Sequence, residues 1–187
     1  MFLEKNTISP GEHSIPLCIE FLLLLLQSED GVERTKARKA LVRIGKPAVP
    51  YILALLGHSS NHVRWEACKA LERIRDPKAA SLLARKLMDD DMDVRWVAAD
   101  ALIELEYDAI IPVLEMIEEQ FDSSTLRESA HHVLHSLKEL QMLDKRAEEV
   151  LDALKVNELP SKAAFIASSV LEYFRARGVY KFRGGMA

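Results

Sequence analysis

Apolar residues return along this chain in a helical rhythm, and the rhythm itself repeats. The phrase Val63-Arg64-Trp65-Glu66-Ala67-Cys68-Lys69-Ala70-Leu71 recurs as Val94-Arg95-Trp96-Val97-Ala98-Ala99-Asp100-Ala101-Leu102. Weaker copies flank the pair: Glu33-Arg34 with Ala37 and Ala40-Leu41, then Leu126-Arg127 with Ala130 and Val133-Leu134. The four arginines are separated by 30, 31 and 32 residues, and a fifth, degenerate copy around Ala167, Val170 and Leu171 lacks the arginine. At about 100° per residue, Val63, Ala67, Ala70, Leu71 and Ile74 fall within one arc, as do Val94, Ala98, Ala101, Leu102 and Leu105. That arc is the predicted core, where each large aliphatic contributes roughly 1.5–3 kcal/mol and each alanine permits close helix approach.

Between the repeated phrases lie further stretches of helical period: Val49, Ile52, Leu53 and Leu56; Ala79, Leu82, Leu83 and Leu87; Ile110, Val113, Leu114 and Ile117. Pro47 and Pro77 open two of them, where a fixed φ and a missing N–H cost nothing. With these stretches as A helices and the arginine-bearing ones as B helices, five A/B pairs are predicted over 14–44, 47–75, 77–106, 108–139 and 143–176. Asp30, Ser60, Asp91 and Ser123, each four residues before its arginine, are the expected N-caps of the first four B helices. Gly45 and Gly57 are expected to end helices. A fixed internal period of this length means a repeat array in which each unit packs on its neighbours. The predicted organisation is an N-terminal extension over 1–13, one repeat domain over 14–176, and a basic C-terminal tail over 177–187.

The pattern Asp/Ser-x-x-x-Arg-Trp-x-x-Ala-x-x-Ala-Leu, preceded by Ile44-Gly45-Lys46-Pro47-Ala48-Val49-Pro50, resembles HEAT repeats of the phycobilisome-lyase-like subtype over roughly residues 14–155. The resemblance implies an all-α fold, a right-handed α-solenoid of about five helix pairs. It implies a structural role for Arg34, Arg64, Arg95 and Arg127 in tying neighbouring repeats together. It also implies that B helices line a concave face on which partners bind, although such repeats serve many unrelated functions.

On each B helix the side opposite the core should be polar, yet it carries Trp65 and Trp96, one repeat apart. Exposed aromatics of this kind mark interaction sites. One reading is a partner-binding strip of Trp65, Trp96, Ile103 and Tyr107. The other places the rings against the adjacent repeat, filling gaps between B helices. Arg38, Lys39 and Lys69 would add charge at one end of the strip, and His131 and His135 polar contacts at the other. Cys68 is expected beside this strip, as a small packing residue.

Charge sharpens the picture only locally. The net charge is −4 over 187 residues, which argues against binding nucleic acid by bulk attraction. The first B helix is nevertheless basic (Arg34, Lys36, Arg38, Lys39, Arg43, followed by Lys46), whereas Asp89, Asp90, Asp91, Asp93, Asp100 and Glu104 make the middle acidic. Such polarisation orients a charged partner, or is ordinary solvated surface. In the tail, Arg175, Arg177, Lys181 and Arg183 interleave with Tyr180 and Phe182, a composition that suits either docking on an acidic surface or disorder.

Other chemistry is sparse. Glu128, His131, His132 and His135 have plausible metal-ligand spacing, but one helix supplies too few ligands for a complete site. Deoxyhypusine hydroxylases bind iron on HEAT repeats through His-Glu dipeptides, and this chain has none. No glycine lies between Gly57 and Gly178, which excludes a glycine-rich phosphate loop there. Cys18 and Cys68 show neither disulfide nor metal spacing, consistent with a reducing cytoplasm. The apolar run Leu17–Leu26 is interrupted by Glu20 and is about half of the roughly 20 residues that span a bilayer. A buried first helix is expected instead of a signal or membrane segment.

The expectation is a non-enzymatic adaptor without a cofactor, holding a protein or peptide on its B-helix face. The alternatives are an accessory subunit of a bilin-lyase-like enzyme, by resemblance, and a nucleic-acid-binding array like the HEAT-like DNA-repair glycosylases, whose groove is basic throughout.

Overall fold

The computed structural model describes residues 14–155 and 158–178, and within them all regular structure is helical. The predicted extension, residues 1–13, and residues 179–187 of the predicted tail lie outside the described residues. Ten α-helices are described: α1 Ser14–Leu26, α2 Gly31–Ile44, α3 Val49–Leu55, α4 Asn61–Ile74, α5 Ala80–Lys86, α6 Met92–Glu104, α7 Tyr107–Glu119, α8 Ser124–Glu139, α9 Lys145–Ala153 and α10 Pro160–Arg177. Pro47 and Pro77 do not begin α-helices directly. Each sits in a single 3-10 turn, Lys46–Ala48 and Pro77–Ala79, that leads into α3 and α5.

The molecule is an all-α solenoid. Each A helix packs on its B helix (α1 on α2, α3 on α4, α5 on α6, α7 on α8), and the B helices stack in a row, α2 on α4, α4 on α6 and α6 on α8. The row is held by the residue three positions after each motif arginine: Ala37, Ala67, Ala98 and Ala130 are all buried. Four residues further on, Leu41, Leu71, Leu102 and Leu134 are buried as well. Small and large residues thus alternate at the same level of every B helix, which lets neighbouring backbones approach and still fills the space between them.

The fifth pair departs from the pattern. The carrier of the degenerate phrase, α10, packs on α7 and α9 instead of stacking along α8. Meanwhile α9 lies along α8 and is tied at both ends, by Arg127 and by the Lys138–Glu148 pair at 2.9 Å. The expected A and B places are therefore exchanged. The repeat without its arginine keeps its helices and loses its register, and Arg175 in α10 reaches Glu115 in α7 at 3.4 Å. Arg177, assigned to the tail on composition, is the last residue of α10.

Capping follows the sequence at three of four positions. The side chains of Asp30, Asp91 and Ser123 accept from Val32, Val94 and Leu126 N–H, whereas Ser60 has the extended backbone of an N-cap but makes no side-chain cap bond. Gly45 closes α2 with φ of 75°. Gly57 lies one residue beyond the Leu56 cap of α3 and does not take a positive φ.

Candidate functional site

The stacked B row places equivalent residues side by side, so its outer face can be read in register. One position after the motif arginine stand Thr35, Trp65, Trp96 and Glu128; five positions after stand Lys39, Lys69, Asp100 and His132; nine after stand Arg43, Arg73, Glu104 and Ser136.

The two tryptophans part company. Trp65 is half-buried and packs against the core, with the Arg38 guanidinium 5.3 Å from its ring centroid. Arg38 is itself held by Glu66 at 2.6 Å, so Trp65 and Arg38 form part of the α2–α4 joint. Trp96 stays 49% exposed, and His132 meets its ring edge-on at 4.7 Å between centroids. Around it is a shallow pocket of about 410 Å³ lined by Met92, Arg95, Ala99, Glu128 and His132.

Ile103 is half-buried against the core. Tyr107 is exposed but does not belong to the strip: α6 ends at Glu104, Glu106 turns the chain with φ of 55°, and Tyr107 opens α7 in the A row. Cys68 is not beside the groove either. It is fully buried, and burial pushes its thiol up to about 12, which leaves it a packing residue.

The histidines line the far end. His131 and His135 stack with centroids 5.9 Å apart. Burial, then the neighbouring His135, Lys155 and His132, push the His131 imidazole below its usual range. His131, Glu128 and Arg127 border an open cleft of about 1450 Å³ that continues to Phe121, Leu154 and Lys155. Among the described residues no three His, Cys, Asp or Glu side chains gather as a metal site, and His132 is engaged with Trp96.

The motif arginines are engaged differently from repeat to repeat, and among the described residues only Arg64 donates hydrogen bonds both to its own loop and to the next repeat. Nη1 of Arg34, Arg64 and Arg95 donates to the carbonyls five and six residues earlier: Ser28 and Glu29, His58 and Ser59, Asp89 and Asp90. Arg64 also crosses to the next repeat, where Nε and Nη2 donate to the Asp89 carboxylate at 2.9 and 2.6 Å and Nη2 also meets Asp90. Arg127 crosses too, donating to the carbonyls of Ala153, Leu154, Lys155 and Glu158 at the C-terminal end of α9.

Asp89 was not legible as more than one acid in a solvated run. It is buried. Burial alone would raise its carboxyl, but hydrogen bonds from Arg64, Lys86 and the Asp91 N–H outweigh that and hold it at about 2. Sequence reading also missed the outward face of α1, where Leu17, Phe21 and Leu24 are exposed along one helical stripe.

Comparison with known proteins fits this architecture. Residues 19–103 match the family model for HEAT repeats. That stretch carries HEAT repeats. This HEAT array is also similar in fold to the complex of CpcE and CpcF of phycocyanin lyase from Nostoc sp. PCC7120, with a TM-score of 0.57 and 21% identity over 82% of this chain and 99% of that one. An engineered protein matches with a TM-score of 0.42 and 17% identity over 86% of this chain and 85% of its own. None of the curated proteins matches the array in sequence. No helix among the described residues is long and apolar enough to cross a membrane.

Proposed function

We propose that this HEAT array is a non-enzymatic scaffold that holds a segment of another protein against the outer face of its B row, α2, α4, α6 and α8. The observation that carries this reading is Trp96, a large aromatic left half-exposed beside a pocket on the B row, with the exposed Met92 also lining that pocket. Burial of such a ring in a partner is the commonest source of a binding hot spot. In this reading Lys39 and Lys69 hold charge at one end and His131 and His135 make polar contacts at the other. Ile103 and Trp65 supply apolar floor, and Arg38 positions Trp65.

A photo-crosslinking side chain placed at Ser129 in α8, and separately at Arg85 in α5, tests the face. Crosslinks to a partner in native lysate are expected from the B-row position alone, and they should vanish in Trp96→Ala while its circular dichroism is unchanged. Equal crosslinking from both positions, or capture indifferent to Trp96→Ala, contradicts the reading.

The fold likeness to the phycocyanin lyase complex supports a second reading, an accessory subunit of a bilin-lyase-like enzyme. A bilin absorbance change on mixing with the purified array would favour it.

A further inference from the structure

The outer face of the B row changes sign between its second and third helices. Five positions after the motif arginine the residues run Lys39, Lys69, then Asp100; nine positions after, Arg43, Arg73, then Glu104. The two lysines and two arginines line a groove of about 1130 Å³ between α2 and α4, together with Arg38, Val42 and Glu72. Its one lining carboxylate, Glu72, is already paired with Lys69 at 2.6 Å, and Arg38 is taken by Glu66. Lys39, Arg43 and Arg73 are exposed and make no side-chain hydrogen bond or ion pair among the described residues. Lys39 and Arg43 are one helical turn apart, about 6 Å. Arg73 lies across the groove on the neighbouring helix, about 8–10 Å away. Three unpaired cations around one concavity repel each other unless an anion sits between them.

We propose that this groove binds an acidic peptide segment, its carboxylates seated on Lys39, Arg43 and Arg73. The proposal rests on the scaffold reading and names the chemistry of the partner at one end of the face. The third helix decides against nucleic acid. Along the same rows Asp100 and Glu104 follow at once. A nucleic-acid strand carries a charge at every step and would meet these acids as it continued. A short acidic run ends before reaching them.

The test is fluorescence anisotropy with labelled hexaglutamate and, in parallel, labelled oligothymidylate of similar length. Hexaglutamate is expected to bind the wild-type chain, to lose about tenfold or more in affinity with Lys39→Glu/Arg73→Glu, and to be unaffected by Lys78→Glu/Arg85→Glu. The second pair makes the same charge change on the A row, and Trp96→Ala should also leave hexaglutamate binding unchanged. Equal loss in both double variants would reduce the effect to net charge and overturn the proposal, as would tighter binding of oligothymidylate. Capture of the lysate partner supplies the remaining distinction. If it survives Lys39→Glu/Arg73→Glu but not Trp96→Ala, the scaffold stands and the acidic-segment proposal falls.

Discussion

Asp89 shows how much one side chain carries. It takes three hydrogen bonds from Arg64 of the preceding repeat and one each from Lys86 and the Asp91 N–H, all inside the joint between α4 and α6. Removing one member of a buried ion pair strands the other, so Asp89→Asn is expected to cost about 3 kcal/mol in urea unfolding at neutral pH. The pH dependence follows from the depressed carboxyl. Its folded value of about 2 lies below the ordinary 3.8, so its stabilisation, about 2 kcal/mol, is complete above pH 4 and is lost as the pH falls toward 2. The gap in stability between wild type and Asp89→Asn should therefore narrow across that window, and a gap that stays constant would show that the charge is not what stabilises the joint. The sequence hid this because Asp89, Asp90, Asp91 and Asp93 look alike in one dimension. What separates Asp89 from its neighbours is an arginine 25 residues earlier whose reach depends on the stacking of two helices.

The helices themselves were largely legible, because an apolar arc repeated four times averages out local ambiguity. Their ends were less so. At the close of α2 the chain turns through Gly45 with positive φ, and the glycine announces it. The equivalent turns after α4, α6 and α8 pass through Arg75, Glu106 and Gln141, with φ of 55°, 55° and 59°, where no glycine marks them. That gap explains why the sequence places Tyr107 on the B-helix strip although it begins an A helix. Arg75 sits in the left-handed region with ψ of 43°, a conformation that costs an L-residue about 1–2 kcal/mol. Arg75→Gly relieves this and gives up only an exposed pair with Glu104, against the extra freedom glycine gains when unfolded. A net stabilisation of roughly 0.5–1 kcal/mol, seen as a raised thermal midpoint, is expected. A lowered midpoint would mean that the Arg75–Glu104 pair matters more than the backbone.

At the scale of the whole molecule, the array is ordinary stacking for four pairs and something else at the fifth. In a plain array, losing the last repeat removes one interface. Here α10 lies on α7 and buries Ala163, Ala167, Val170, Leu171 and Phe174. Val170, Leu171 and Phe174 alone contribute about 5–9 kcal/mol at 1.5–3 kcal/mol each, comparable with the entire stability of a domain. A chain ending at residue 155 should thus lack a cooperative thermal transition by circular dichroism, and a midpoint near that of the full chain would show α10 to be dispensable. This exchange of places could not be foreseen, since the fifth copy differs from the others mainly by the arginine it lacks.

The register of the B row also acts as a ruler. From Lys39 on α2 to His132 on α8 there are three helix-to-helix steps, about 25–30 Å in all. An extended chain advances about 3.3 Å per residue, so a segment touching both must be about eight residues long. A tripeptide, whatever its charge, reaches only one end, and the array reads the distance between two features of its partner as well as their kind.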